Sequence, residues 1–205
     1  MTIHLHKGDL APGVDLGSEI AVDTETMGLI THRDRLCLVQ LSDGTGDAHL
    51  VHFPPQERPY EAPNLAAQLS DPGRLKLFHF ARFDLAALKY WMGIDCTPVY
   101  CTKIASRLTR TYTDRHGLAD LTRELLGTEL SKAQQSSDWG ADDLTTAQRE
   151  YAAADVLHLH ALKTRLDAML AREGRSELAQ ACFDFLPHRA TLDLDGWADT
   201  DIFAH

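Results

Sequence analysis

Residues 19–29, EIAVDTETMGL, run apolar side chains up to two acids separated by a single threonine. In a strand, alternate side chains share a face, so Asp23 and Glu25 point one way while Ile20, Val22 and Thr24 point the other. Two carboxylates crowded on one spot repel and raise each other's pKa unless a cation lies between them, which makes the pair half of a divalent-metal site. The same letters also describe a strand end entering a polar turn at 26–28, and the spacing alone leaves both readings open. A third acid, Asp84, falls in the first turn of an expected helix directly after an expected strand. The helix dipole favours a carboxylate there, and α/β sheets place their ligands at such strand ends. In EYAAADVLHLHAL, Tyr151 and Asp155 stand four apart on one helix face with only alanines between them, small enough for a substrate backbone or the sheet to approach. By itself Tyr151 fits a core tyrosine equally well.

The elements that must position these side chains are legible from periodicity. Strands are expected at 18–23, 35–43 and 48–53, with Gly44 and Gly46 turning the last two into an antiparallel meander. NLAAQLSD reads as a helix capped by Asn64 and ended by Pro72-Gly73. A short buried strand at 76–80 leads into the helix ARFDLAALKYWMG, which Gly93 stops. Further helices are expected at 102–110, at 117–126, and as one long element from 146 to about 172. Strands first, then helices interleaved with strands, describe an α/β fold built on a mixed sheet.

At 205 residues and 44% apolar, the chain suits one globular domain. No stretch approaches the roughly 18 apolar residues of a membrane span, and MTIHLHKGDL lacks the regions of a signal peptide, so a cytoplasmic protein without a membrane partner is expected. Cys37, Cys96, Cys101 and Cys182 form no C-x-x-C pair and are expected to be reduced thiols. A formal charge of −10 argues against wrapping long nucleic acid on a general basic surface. Any nucleic-acid role must use a local site.

The order D-x-E at Asp23 and Glu25, then Asp84 in FARFDLAAL, then Y-x-x-x-D at Tyr151 and Asp155, resembles the motif series of the DEDD 3′-5′ exonucleases in their tyrosine branch. The histidine branch would need His at 150, where this chain has Glu150. The segment SKAQQSSDWGADDLTTAQREYAAADVLHL is similar to the one leading into the third motif of ribonuclease D. CTKIASRLTRTYTDRHGL, SKAQQSSDW and the ending ACFDFLPHRATLDLDGWADTDIFAH resemble short bacterial members of the family that degrade dinucleotides. One departure is Phe80, where many members carry Asn.

The resemblance implies an RNase H-like mixed sheet flanked by helices, with an exonuclease domain at 1–181 and a C-terminal extension at 182–205. It implies two divalent cations, Mg²⁺ or Mn²⁺, on Asp23, Glu25, Asp84 and Asp155: Asp23 bridging both, Glu25 and Asp155 on the first, Asp84 reaching the second through water. Tyr151 would orient the attacking water, its ordinary pKa near 10 making it a poor general base. Thr24, Gly28, Leu29 and His79 are the implied substrate contacts around the motifs, Leu29 wedging between two bases. Arg110 and Arg115, in a basic stretch with Lys103, Arg107 and His116, together with Lys132 and Gln135 in SKAQQSSDW, would receive a terminal phosphate. Solvated helix charge and a turn glycine beside a core leucine are the ordinary alternatives. The substrate implied is very short RNA, preferentially a 5′-phosphorylated dinucleotide. A ribonuclease D-like trimmer of longer RNA or DNA is the second reading, an idle binding module the third. The apolar tail, with Phe183, Phe185, Leu186, Trp197, Ile202 and Phe203, suits a subunit interface, and the resemblance implies a ring-shaped homo-octamer.

Overall fold

In the computed structural model, which describes residues 2–131 and 133–205, one six-stranded sheet carries everything that positions the site. Its strands are β1 (Ile3–Lys7), β2 (Glu19–Thr26), β3 (Leu36–Ser42), β4 (Ala48–His52), β5 (Leu75–Phe78) and β6 (Val99–Cys101), in the order β1-β4-β3-β2-β5-β6. The β2, β3 and β4 meander is antiparallel as its turn residues indicate, while β1–β4, β2–β5 and β5–β6 pair parallel. This is the mixed sheet of an RNase H-like α/β fold. Strand β3, LCLVQLS, is buried at every position, which is why it reads as a continuous apolar run and not as an alternation.

Among the described residues seven α-helices flank the sheet: α1 (Pro63–Leu69), α2 (Ala81–Met92), α3 (Thr102–Thr109), α4 (Leu118–Leu126), α5 (Thr146–Leu157), α6 (Leu159–Arg172) and α7 (Ser176–Leu192). Gly93 ends α2 in the left-handed region (φ 68°), its N–H returning to the carbonyls of Leu88 and Lys89. A capping box opens α5. Thr145 accepts from the Gln148 N–H, and the Gln148 side chain accepts from the Thr145 N–H.

Four local expectations are corrected. Strand β1 hides in the polar-looking IHLHK and is recruited by parallel pairing to β4, where His4, His6 and His49 stack with ring centroids 4.7 and 5.3 Å apart. Strand β6 is too short to show a period. Helix α1 is capped not by Asn64 but by Asp9, whose carboxylate accepts from the backbone N–H groups of Asn64 (3.0 Å) and Leu65 (2.9 Å). The long helix at 146–172 bends at His158 (φ −103°, ψ −6°) into α5 and α6. Helix α7 also runs unbroken across 181/182. Its residues Ala179, Phe183, Leu186 and Ala190 form one buried face. Among the described residues no helix is long and apolar enough to cross a membrane.

Candidate active site

Strand β2 supplies the first two acids. Its pleat sends Asp23 and Glu25 to one face and Thr24 to the other, where the Thr24 hydroxyl donates to Asp84 at 2.7 Å. Asp84 is buried in the first turn of α2, placed there because β5 feeds straight into the helix through Phe80, held in the left-handed region at φ 71°. Helix α5 brings Tyr151 and Asp155 over the opposite end of the cluster. Carboxylate oxygens of Asp23, Glu25 and Asp155 all lie within 4.8 Å of one another.

Among the described residues no cation contributes to the field at these acids, and their electrostatics follow. Burial, opposed only in small part by hydrogen bonding, pushes Asp23 up to about 7. Burial and the fields of Asp23, Asp155 and Asp84 raise Glu25 to about 10. Burial and Asp23 raise Asp155 to about 8, and the same two causes put Asp84 well above the ordinary carboxylate range. Four acids held this way store repulsion that a hard divalent cation relieves. Burial, together with Asp155, Glu25 and Asp23, pushes the Tyr151 phenol above its usual value, so it keeps its proton.

The cleft around them has a volume of about 700 Å³. Asp23, Thr24, Glu25, Gly28, Leu29, His79, Asp84, Gln135, Tyr151 and Asp155 all line it. Leu29 is 84% exposed at its rim. Gly28 is required by packing: a Cβ there would meet the Asp34 carboxylate at 2.4 Å. His79 hydrogen-bonds Thr102 Oγ1 through Nδ1 at 2.9 Å, and burial lowers it to about 3, so it stays neutral.

Arg110 does not belong to this group. It is fully buried, its guanidinium held by Glu124, the Ser106 hydroxyl (2.9 Å) and the Arg115 carbonyl (2.7 Å). The sequence shows a basic residue in a basic stretch; the tertiary partner Glu124, one helix later, is what turns it inward. Arg110→Ala is therefore expected to lower stability by about 2–4 kcal/mol, roughly 5–12 °C in Tm, with no change in KM. A melt beside steady-state kinetics checks this; an altered KM with an unchanged Tm would return Arg110 to the substrate site. Arg115 is exposed and does not line the cleft. Lys132 lies outside the described residues.

Lys103 of the basic stretch and Ser137 of SKAQQSSDW line the cleft as well, and residues not singled out in the sequence complete the site. Gln40 faces Asp23 across β2 and β3 in register and donates to its carboxylate at 3.2 Å. Phe83, Ser136 and Trp139 also line the cavity. Lys103 Nζ lies 3.9 Å from the centre of the Phe80 ring. Trp139 packs 6.0 Å from the Tyr151 ring, and the Gln148 amide bonds the Asp138 carbonyl, tying residues 138 and 139 to α5. A glutamine inside an otherwise apolar strand is the one signal that could have singled out Gln40.

Residues 9–171 match the family model described as 3′-5′ exonuclease. The structure of Brucella melitensis NrnC (nano-RNase C) bound to pGG is 54% identical, with a TM-score of 0.95 covering 100% of this chain and 99% of that one. Brucella melitensis NrnC with bound Mg²⁺ is 53% identical, with a TM-score of 0.94 covering 100% of both chains. Ribonuclease D of Gluconacetobacter diazotrophicus is 34% identical over 176 residues, which is 86% of this chain but 44% of that protein. The chain thus spans less than half the length of that relative. With the motif order and the clustered acids, these matches show that the chain belongs to the DEDD 3′-5′ exonuclease family.

Proposed function

We propose that this protein is a metal-dependent 3′-5′ exoribonuclease that hydrolyses very short RNA, preferentially 5′-phosphorylated dinucleotides. The reading rests on one observation above all: Asp23, Glu25 and Asp155 converge within 4.8 Å, with Asp84 and Tyr151 lining the same cleft. A protein that only bound nucleic acid would gain nothing from four clustered acids that repel each other and the phosphate they face.

The donor set fits hard divalent cations, since among the described residues every candidate ligand is a carboxylate oxygen and no cysteine or histidine joins them. Asp23, Glu25 and Asp155 would hold one ion, and Asp23 with Asp84 a second. Bound Mg²⁺ or Mn²⁺ supplies an acidified water and offsets the charge on the scissile phosphate. The protein's own part is positional. Thr24 and Gln40 fix the orientation of Asp84 and Asp23 through hydrogen bonds. Tyr151, kept protonated by burial and by its acidic neighbours, orients a water and does not act as the base. Leu29, at the rim, separates the terminal nucleotide from the one before it, and Thr24, Gly28, His79 and Gln135 line the remainder.

Size selectivity is supported by the acidic chain and by the full-length similarity to a nuclease that held pGG. The exposed Phe185, Trp197, Ile202 and Phe203 suit contact with further copies in a ring-shaped octamer. The 34% identity to ribonuclease D keeps trimming of longer RNA as the alternative. Labelled RNAs of two, three, five and twenty nucleotides, each with Mg²⁺, Mn²⁺ or EDTA, separate the two. The dinucleotide is expected to turn over at least about tenfold faster per enzyme than the twenty-mer, a difference of about 1.4 kcal/mol, and EDTA to abolish both. Equal rates at all lengths would favour the trimmer.

A further inference from the structure

The C-terminal end of the chain holds the loop that presents Leu29. After α7 the backbone makes a wide terminal turn, Asp193–Trp197, with Gly196 at φ 102°. Asp193, mostly buried, lies between two arginines. Arg82 donates to it through Nε (2.5 Å) and Nη2 (2.7 Å), and Arg189 forms an ion pair with it, Nη2 at 2.9 Å. The same guanidiniums hold the far side of the turn, Arg82 on the Ala198 carbonyl and Arg189 on those of Trp197 and Ala198. Arg82 stands in the first turn of α2, two residues before Asp84.

From the other direction comes the β2–β3 connection. His32 bonds the Leu194 carbonyl through Nε2 at 3.0 Å while its ring meets Tyr90 edge-on at 4.7 Å. Trp91 donates to the Thr31 carbonyl at 3.0 Å. Leu29, Phe80 and Phe83 separate the catalytic cleft from a second hollow of about 480 Å³, whose far wall is formed by Leu194 and Ala198 of the turn. A loop bearing an exposed leucine at the rim of the cleft is thus tethered at one end to the main chain of the C-terminal turn, and that turn is pinned by a bidentate ion pair to the helix that carries Asp84.

We infer that Asp193 is a positioning residue of the substrate site: by clamping Arg82 and Arg189 it fixes the Leu194 carbonyl that His32 binds, and so holds the Leu29 loop where the nucleotide beyond the scissile phosphate must pack. The inference rests on the exonuclease reading. Asp193 touches no substrate and no reacting atom. Helix α2 keeps its place through buried Ala81, Leu85, Ala86 and Leu88, so loss of the clamp loosens the loop and leaves Asp84 in position.

The test compares wild type, Asp193→Ala and His32→Ala on two substrates with Mg²⁺. One is a 5′-phosphorylated RNA dinucleotide. The other is the p-nitrophenyl ester of a nucleoside 5′-monophosphate, which fills the terminal site but has no nucleotide beyond it. Both variants are expected to raise KM for the dinucleotide about tenfold with kcat within about twofold, and to leave the ester's kcat/KM unchanged. The His32 variant removes only the loop's end of the link, so it reads the same tether should Asp193→Ala fail to fold. Unchanged KM in folded variants, or equal losses on both substrates, would overturn the inference. A wild-type protein inert toward both substrates would remove the exonuclease reading, and the inference with it.

Discussion

Asp23→Ala is expected to lower kcat on RNA by about a thousandfold or more in saturating Mg²⁺, a loss of about 4 kcal/mol of transition-state stabilisation. Asp23 is the acid with the most central contacts: it shares a 4.8 Å cluster with Glu25 and Asp155, raises the pKa of Asp84, and accepts the Gln40 amide. Removing it takes a ligand from both proposed ion positions at once. The fold does not suffer, because the side chain lies on the cleft face of β2 while Ile20, Ala21 and Val22 remain in the core. Relief of repulsion on Glu25, Asp84 and Asp155 makes the metal-free variant at least as stable as wild type. Single-turnover kinetics beside a thermal melt separate the two effects. A variant retaining more than a few per cent of the wild-type rate, with an unchanged melting curve, would remove Asp23 from the metal site.

How far such a site can be read in advance depends on what fixes each residue. The motif acids were legible because their positions are set by local geometry: Asp23 and Glu25 by the two-residue pleat, Tyr151 and Asp155 by the helical turn, Asp84 by a strand running directly into a helix. The antiparallel meander was legible because alternation and glycine turns are local as well. What escaped depends on partners remote in sequence. Strand β1 exists because β4 accepts it, Asp9 caps a helix more than fifty residues away, and Arg110 is internal because Glu124 reaches it. Trp139 lines the cleft because residues 135–139 are folded toward it, which no short window records. The proposed interface role of the tail is divided by the same logic. Phe183 and Leu186 face the protomer's own core on α7, while Phe185, Trp197, Ile202 and Phe203 are left at the surface.

The buried acids also set how the protein responds to pH and metal together. Asp23, Asp155 and Glu25 bind their protons more tightly in the fold, at about 7, 8 and 10, than in the unfolded chain, where 3.8 and 4.5 apply. Protonation of these groups therefore favours the folded state. Their contribution to stability is complete below about pH 4 and is lost as the pH rises through the folded-state values. His79 acts in the opposite sense, lowered from 6.5 to about 3, so its contribution is present above pH 6.5 and lost as the pH falls toward 3. Three acids outweigh one histidine, so over the range pH 5 to 9 metal-free protein should melt highest at the acid end and by pH 9 lose at least a few kcal/mol, on the order of 10 °C or more in Tm. Mg²⁺ competes with the protons for the same oxygens, so its stabilisation should be small at pH 5 and large at pH 9, where the ligands are free of protons. Melting curves from pH 5 to 9, with EDTA or with millimolar Mg²⁺, give the comparison. The difference between the two series should widen steadily with pH in the wild type and collapse in Asp155→Asn, which keeps the shape of the site but removes one charge. A metal effect independent of pH would mean that the ion is held somewhere other than on these acids.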